Sequence, residues 1–261
     1  MTDLIARPDS ALVSSLHPSP NIEPRKPGMR PSMLILHYTG LPNVDRALDV
    51  LSRPDCKVSC HYVVDEDGRV IQMVAEEARA WHAGVSYWAG ETDINSASIG
   101  IEIQNPGHVL GYTDFPSVQM RAVMALARDI IARHAIEGRH VLAHSDVAPG
   151  RKIDPGEKFG WGWLADHGVG HWVAPAPIDE SDPGLTLGAR CEEVHHVRAL
   201  LAAYGYKIDP QGAYDADMQN VVKAFQLHFR QARPDGRLDR STLDTLTRLV
   251  DALGLKDDRI A

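Results

Sequence analysis

The chain contains 261 residues, of which 44% are hydrophobic and 24% are charged. These fractions are typical of a globular protein, and the length allows one domain of about 150 residues and a smaller second domain. The net charge of −8 and the lack of a dominant basic patch in the sequence argue against nucleic acid as a partner. No apolar run in the sequence approaches the roughly 20 residues of a membrane-spanning helix, which argues against a membrane partner.

The N-terminal residues and the cysteines bear on the cellular compartment. Residues 1–9 lack the roughly 7–15 apolar residues that a secretory signal requires. Cys56, Cys60 and Cys191 form no recognisable disulfide framework. The short spacing of Cys56, Cys60 and His61 could serve a metal, but buried, reduced thiols are the favoured interpretation. Together these features predict a cytoplasmic protein.

The first half of the chain contains the signals of a β-sheet. Residues 1–32 carry six prolines and predict an extended lead-in without regular structure. The Asp-Glu-Asp-Gly sequence at residues 65–68 predicts a hairpin turn between two strands. Runs rich in Val and Ile predict strands at residues 33–37, 60–65, 69–74, 98–104 and 140–144.

Two helices are predicted among these strands. Residues 44–53 form a short helix, with Asn43 as its cap and Pro54 as its stop. Residues 117–134 form a longer helix with an apolar stripe along one side. Strands separated by helices, with one hairpin, predict an α/β fold with a mixed β-sheet flanked by helices over residues 33–172.

The last third of the chain has a different pattern. Residues 173–188 carry several prolines and acidic residues without periodicity, which predicts a linker. Three amphipathic patterns separated by glycine-containing turns follow within residues 189–255. We therefore expect a small three-helix domain after the linker.

A candidate metal site lies in the first domain. His37 and His144 each end an apolar run that predicts a strand, and Asp154 follows His144 across a Pro-Gly loop. Two imidazoles and one carboxylate suit zinc and leave its fourth position open, as in a catalytic site. Lys152 lies two residues before Asp154, where its charge could meet negative charge that develops beside a metal.

A carboxylate interrupts the most apolar strand candidate. Side chains alternate between the faces of a strand, so Ile99, Ile101 and Ile103 share one face and Glu102 turns to the other. Burial of a carboxylate in such a strand is costly unless something outside the core uses it. A glutamate satisfied by a neighbouring backbone group or arginine is the alternative interpretation.

Five segments occur in the order found in a known enzyme family. They are ILHYT at residues 35–39, SCHYVVD at 59–65, WHAG at 81–84, SIGIE at 98–102, and the loop at 144–154. Through them the chain resembles the zinc N-acetylmuramoyl-L-alanine amidases, a family that includes phage lysozyme-amidases and peptidoglycan recognition proteins. The resemblance covers roughly residues 19–172.

The C-terminal residues carry a second resemblance. They contain LLAAYGY at residues 200–206, VVKAFQ at 221–226 and DGRL at 235–238. With these segments the region resembles the three-helix peptidoglycan-binding domain. A generic three-helix bundle is the alternative interpretation.

The first resemblance implies a mechanism and its residues. His37, His144 and Asp154 would hold a zinc ion that activates a water molecule. Glu102 would act as the general base, and Lys152 would stabilise the oxyanion. The bond cleaved would be the amide between N-acetylmuramic acid and L-alanine, so muropeptides or peptidoglycan fragments are the expected partners.

Other residues of these segments are candidates for the substrate groove. Trp81 and His82 could line it, His61 lies in another family segment, and Asn95 could bind the muropeptide through its amide. For His61, His82 and Asn95 a purely structural role is the alternative. Cys60 stands where the phage enzymes carry a tyrosine near the metal, so tyrosine-assisted chemistry is not expected.

Three functions agree with these features. A cytoplasmic amidase would trim recovered muropeptides, in the 1,6-anhydro form, during peptidoglycan recycling, and the lack of a secretory signal favours it. A wall-binding domain favours the alternative of an exported amidase that acts on intact wall. The third possibility is a non-catalytic muropeptide sensor. Binding-only members of the family lose a metal ligand, and the presence of all three ligands here favours an enzyme.

Overall fold

The computed structural model describes residues 5–254. Residues 1–4 of the expected lead-in and residue 255 of the expected small domain lie outside this range. Within it the chain forms eight strands, which are β1 (Ser15–Leu16), β2 (Ile22–Pro24), β3 (Met33–Tyr38), β4 (Tyr62–Val64), β5 (Val70–Gln72), β6 (Ala78–Ala80), β7 (Ser98–Ile103) and β8 (Val141–Ala143).

Helices lie between and after the strands in this part of the chain. The short ones are α2 (Ile94–Ala97), α3 (Gly107–Leu110), α5 (His144–Val147) and α6 (Trp161–Asp166). The longer ones are α1 (Val44–Ser52), α4 (Ser117–His134), α7 (Glu192–Tyr204), α8 (Ala216–Phe229) and α9 (Arg240–Ala252).

Six of the strands form a mixed sheet in the order β1-β5-β4-β7-β3-β8. β4 and β5 are antiparallel and are joined by the predicted turn, in which the backbone N–H of Gly68 donates to the carbonyl of Asp65 at 2.9 Å. The remaining neighbours in this sheet are parallel, as expected for strands connected through longer crossovers. The predicted α/β fold with a mixed sheet is therefore confirmed.

The N-terminal lead-in is extended, but part of it belongs to β-sheets. β1 pairs in parallel with β5, and β2 pairs antiparallel with β6 in a separate two-stranded sheet. The prediction of a segment without regular structure is wrong for these residues. Since β1 has two residues and β2 has three, neither is long enough for an alternating pattern to reveal it.

The two helices predicted in the first domain both form, although α1 ends at Ser52, one residue earlier than predicted. α4 spans Ser117–His134, as its apolar stripe predicts. α1 begins after Asn43, whose side-chain oxygen accepts a hydrogen bond from the backbone N–H of Arg46 at 2.9 Å. This contact satisfies one of the donors that the first turn of a helix leaves free.

The large sheet is buried on both faces. On one face Leu34, Ile101 and their neighbours pack under α4. On the other face Met33, Ile35 and Leu142 share a single hydrophobic core with side chains from α7, α8 and α9. The small domain therefore packs directly onto the sheet that carries the candidate site.

The predicted linker has little regular secondary structure, whereas the region after it is helical. Residues 173–188 contain no helix or strand apart from a bridge in which Leu185 and Leu238 exchange backbone hydrogen bonds of 2.8 and 3.0 Å. The three amphipathic patterns form α7, α8 and α9. None of the helices within residues 5–254 has the length and apolar composition that a membrane span requires.

Candidate metal centre and active site

Three candidate ligands meet at one end of the sheet. His37 lies near the end of β3, and His144 directly follows β8, which is the parallel neighbour of β3. The Nδ1 atoms of the two histidines are 2.9 Å apart. Asp154 reaches them from the following loop, with its Oδ2 3.2 Å from Nδ1 of His37 and 3.0 Å from Nδ1 of His144. All three side chains are buried, and their ligand atoms could surround one metal ion.

The second nitrogen of each histidine ring faces a protein acceptor. Nε2 of His144 lies 3.1 Å from the carbonyl oxygen of Ala83, to which it donates. Nε2 of His37 lies 3.0 Å from Nδ1 of His82, and Nε2 of His82 lies 3.2 Å from Oγ of Ser98. With each Nε2 donating, the Nδ1 atoms of His37 and His144 keep their lone pairs for a metal.

Electrostatics favour the protonation states that a metal needs. Burial and the neighbouring His144 together lower the pKa of His37 to about 4, although Asp154 opposes them. Burial alone would raise the pKa of Asp154, but its close contacts with His144 and His37 outweigh this effect and hold the pKa below its usual range. A neutral imidazole and an ionised carboxylate are the forms that bind metal. The residues present therefore fit a zinc ion.

The side chain of Glu102 lies at the same end of the sheet as the three candidate ligands. It pairs with His37 in the register of β3 and β7, while Ile101 and Ile103 point into the core under α4. Oε2 of Glu102 is buried and has no hydrogen-bond partner among the described residues. Burial raises its pKa well above the usual range, and the charge of Asp154 adds to this effect, whereas Lys152 opposes it. Such a carboxyl group is available to take up a proton and return it.

A cavity of about 410 Å³ lies over these residues. Its floor includes Glu102, His144 and Asp154, and its walls include Trp81, with Lys152 at the same opening. Apolar side chains at the rim include Val58, Val109 and Ile153, and Val109 is 94% exposed. A cavity with charged residues at its floor and partly apolar walls suits an amphipathic ligand whose polar bond reaches the floor.

An arginine next to Lys152 holds the cavity wall in place. One guanidinium nitrogen of Arg151 donates to the carbonyl oxygens of Ala83 and Val85 at 2.6 and 2.7 Å. The Ala83 carbonyl is also the acceptor for His144. Arg151 thus ties the loop of Lys152 to the segment that orients a metal ligand. Sequence analysis missed this role because the partners are backbone oxygens, which leave no signal in side-chain patterns.

The four candidate substrate-binding residues divide into two pairs. Trp81 and His82 line the cavity. His61 and Asn95 are absent from the described residues that line it. The Asn95 side-chain oxygen accepts from the backbone N–H groups of His82 and Ala83 at 3.1 and 2.8 Å.

His61 lies within the framework behind the cavity. Its Nδ1 accepts from the backbone N–H of Gly100 at 3.0 Å, and its Nε2 donates to the carbonyl oxygen of Ala78 at 3.2 Å. Burial, aided by the charge of Arg25, lowers the pKa of His61 to about 3. The positions of His61 and Asn95 thus favour the structural role that the sequence left open for both.

Cys60 lies in the hydrophobic core beside α1. Its side chain is fully buried with Leu51 and Val63, and its thiol donates to the carbonyl oxygen of Tyr62 at 3.2 Å. Burial raises its pKa well above the usual value. Cys60 is therefore in the neutral, unreactive form, in agreement with the expectation of a buried thiol. Cys56 is only partly buried and Cys191 is exposed, so the expectation of burial is wrong for Cys191.

Comparisons with known proteins agree with this architecture. Residues 27–157 match the family model of N-acetylmuramoyl-L-alanine amidase, and residues 190–246 match that of a putative peptidoglycan binding domain. The chain is 36% identical to the N-acetylmuramoyl-L-alanine amidase AmiD of Escherichia coli K12, over 86% of this chain and 84% of that protein. It is 34% identical to the 1,6-anhydro-N-acetylmuramyl-L-alanine amidase AmpD of Salmonella typhimurium SL1344, over 55% of this chain and 84% of AmpD.

Two solved structures extend this similarity to both domains. The complex of Escherichia coli AmiD with the substrate anhydro-N-acetylmuramic acid-L-Ala-D-gamma-Glu-L-Lys has a TM-score of 0.72 at 34% identity and covers 88% of this chain and 93% of that chain. AmpDh3 from Pseudomonas aeruginosa in complex with anhydromuramic pentapeptide has a TM-score of 0.73 at 32% identity, with 87% and 93% covered.

The fold and the residues at the end of its sheet define a two-domain hydrolase with an amidase domain and a peptidoglycan-binding-type domain. The chain belongs to the N-acetylmuramoyl-L-alanine amidase family and is an enzyme of that activity. The sequence-based resemblance is thereby confirmed for both domains.

Proposed function

We propose that this enzyme cleaves the amide bond between 1,6-anhydro-N-acetylmuramic acid and L-alanine in peptidoglycan fragments, with zinc as its metal. The observation that carries the proposal is the unpartnered Oε2 of Glu102 beside the ligand set of His37, His144 and Asp154. The names of its relatives support the substrate. The two solved structures described above hold anhydromuramyl peptides.

The ligand set determines where the reacting bond must lie. A zinc ion held by His37, His144 and Asp154 would supply a water molecule of lowered pKa and polarise the substrate carbonyl. His144 and Asp154 line the floor of the cavity and His37 contacts both of them, so the lactyl carbonyl of the substrate must enter to that depth. Trp81 and the apolar rim would hold the sugar and peptide on either side of it.

Glu102 handles the proton transfer, and Lys152 stabilises the charge that develops during the reaction. Glu102 accepts the proton of the attacking water at its free Oε2 and returns it to the leaving nitrogen of L-alanine. Its raised pKa suits this exchange, and a cation at the ligand set would counter the charge of Asp154, which contributes to that rise. Lys152 meets the negative charge that develops on the carbonyl oxygen in the transition state.

We further propose a cytoplasmic role in the recycling of recovered wall fragments. Cys56, Cys60 and Cys191 are all free in the structure, which suits a reducing compartment. The match to a peptidoglycan-binding domain favours the second candidate, an exported amidase that acts on intact wall.

Product analysis separates these functions. Purified protein is incubated with an anhydro-muropeptide and, in parallel, with intact sacculi, and the released L-alanyl peptides are quantified. The recycling role predicts faster release from the fragment, lost on chelation and restored by zinc. Release from sacculi alone would favour the exported enzyme. Binding of the fragment without any release would identify a sensor and overturn the proposal.

Cell fractionation tests the location. The full-length protein, carrying a small C-terminal tag, is expressed in its native host and followed through separated fractions, with sequencing of its N-terminus. The cytoplasmic proposal predicts recovery with cytosolic markers. Recovery from an extracytoplasmic fraction would support the exported amidase instead.

A further inference from the structure

The small domain supports the loop that carries two of the three candidate metal ligands. This loop, residues 144–159, contains His144, Lys152 and Asp154, and its outer side faces α8 and the residues after it. Gln231 donates from its side-chain amide to the carbonyl oxygens of residues 157 and 159, at 2.8 Å in both cases.

A buried carboxylate links the two domains directly behind His144. Asp146 is completely buried, and its Oδ2 accepts from the backbone N–H of Ala143, the residue before His144, at 2.8 Å. Two side chains of the small domain donate to the same carboxylate. The hydroxyl of Tyr206 lies 2.6 Å from Oδ1, and Nδ1 of His228 lies 2.7 Å from Oδ2.

The two donors are themselves held rigidly. The ring of His228 lies between Trp161 of the amidase domain, at a centroid distance of 3.7 Å, and Phe229, at 3.8 Å. Tyr206 packs edge-on against the buried Trp88 of the amidase domain at 4.9 Å. Each donor therefore sits in the shared core, where its position depends on the docking of the small domain.

We propose that Tyr206 and His228 are positioning residues of the amidase site, and that the small domain acts as a fixed scaffold for its metal ligands. The inference rests on the proposed zinc site. The Asp146 carboxylate accepts a hydrogen bond from the backbone N–H of Ala143 and so fixes the start of the helix that begins at His144. The hydrogen bonds from Tyr206 and His228 orient the carboxylate for this contact. A displaced or unpaired Asp146 would move the imidazole of His144, and ligand geometry tolerates errors of only about 0.5 Å.

A matched pair of tyrosine variants tests the proposal in the full-length chain. Tyr206 and Tyr214 are both fully buried, and each hydroxyl donates one hydrogen bond. That of Tyr214 goes to the carbonyl oxygen of Gly236 at 2.5 Å, inside the small domain. We expect Tyr206→Phe to weaken zinc affinity about tenfold in competition with a chelator, and Tyr214→Phe to leave it unchanged.

His228 provides an independent readout. His228→Phe keeps a ring between Trp161 and Phe229 but removes the donor, whereas His228→Asn keeps a donor close to the position of Nδ1. The proposal predicts about tenfold weaker zinc binding for the first variant and a partial rescue in the second.

Two further measurements report on the geometry of the site. The visible spectrum of the Co²⁺-substituted protein should change in Tyr206→Phe and His228→Phe. In both variants kcat should fall by a larger factor than KM rises.

Two results would overturn the inference. One is a zinc affinity of Tyr206→Phe equal to that of the wild-type protein. The other is an equal loss in Tyr206→Phe and Tyr214→Phe, which would trace the effect to the general stability of the small domain. A wild-type protein that binds no zinc would contradict the proposed metal itself, so the two failures are distinguishable.

Discussion

Glu102 lies directly beside His37 in the register of the parallel strands β3 and β7. Paired residues of neighbouring strands project from the same face of a sheet, so the candidate base and a candidate ligand share one opening. Both are held by the backbone of the central sheet, with the fully buried Ile35 and Ile101 close by. This part of the site is fixed by strand pairing, whereas Lys152 and Asp154 come from a loop that other contacts must hold.

The ligand assignment predicts one zinc per chain, which Asp154→Ala should abolish. Asp154 supplies the only carboxylate of the three-residue group, and its removal leaves two neutral imidazoles. We expect zinc affinity to fall more than about a hundredfold, measured by metal analysis after dialysis. Asp114→Ala, at a carboxylate that is 89% exposed, is the control and should retain the metal. Full zinc occupancy in Asp154→Ala would refute the assignment.

Glu102→Gln should retain zinc and the fold but lose most amide hydrolysis. The substitution keeps the shape of the side chain and removes its ability to exchange a proton. Loss of a general base typically lowers the rate by about 10²–10⁴-fold. Steady-state kinetics on an anhydro-muropeptide, with metal analysis of the same sample, measures both effects. If the zinc is lost as well, Glu102 is a metal ligand and the proposed division of roles fails.

Lys152→Ala should lower kcat by about 10²–10³-fold and change KM less. The ammonium group lines the cavity, and the charge that it meets exists mainly in the transition state. Lys223→Ala, at an exposed position on α8, is the matched control and should behave as wild type. An unchanged kcat with a raised KM would restrict Lys152 to substrate binding.

His82→Phe should weaken zinc binding about 10–100-fold. The ring of His82 accepts from Nε2 of His37 and packs against Gly100, where an added Cβ would lie 2.6 Å from the ring. Phenylalanine fills the same space but leaves the buried Nε2–H of His37 without an acceptor. Chelator competition measures the change, and His195→Phe on the exposed side of α7 serves as control. Equal affinity in His82→Phe and wild type would contradict the role.

Glu76 should make stability depend on acid pH. It is buried and accepts hydrogen bonds from Tyr62, Arg133 and His134. Burial alone would raise its pKa, but these bonds outweigh it and lower the pKa from 4.5 to about 2. Because the folded pKa is depressed, the stabilisation is complete above about pH 4.5 and is lost as the pH falls towards 2.

The size of this effect is measurable with Glu76→Gln. The difference between the folded and unfolded pKa corresponds to about 3 kcal/mol at neutral pH. Urea unfolding of both proteins from pH 7 to pH 2 should show a stability gap that narrows between about pH 4.5 and pH 2. A gap that stays constant over this range would show that the charge of Glu76 contributes nothing.

Local patterns predicted the elements and the ligand set. The stripe of α4, the Asn43 cap and the turn at residues 65–68 depend on neighbours within a few residues, so they are readable in sequence. His37 and His144 were recognisable because each ends a buried strand. Parallel strands place their carboxyl ends at the same edge of a sheet, which brings the two together.

The sequence by itself determined the fold class, the amidase motifs and the candidate ligand residues, because periodicity, caps and motif order are local properties of the chain. Only the tertiary structure decided which partner each polar group meets. It assigned Asn95 to the backbone of His82 and brought Tyr206 and His228 to Asp146. These contacts join segments 13 to 82 residues apart, and they depend on the packing of whole helices and strands against one another.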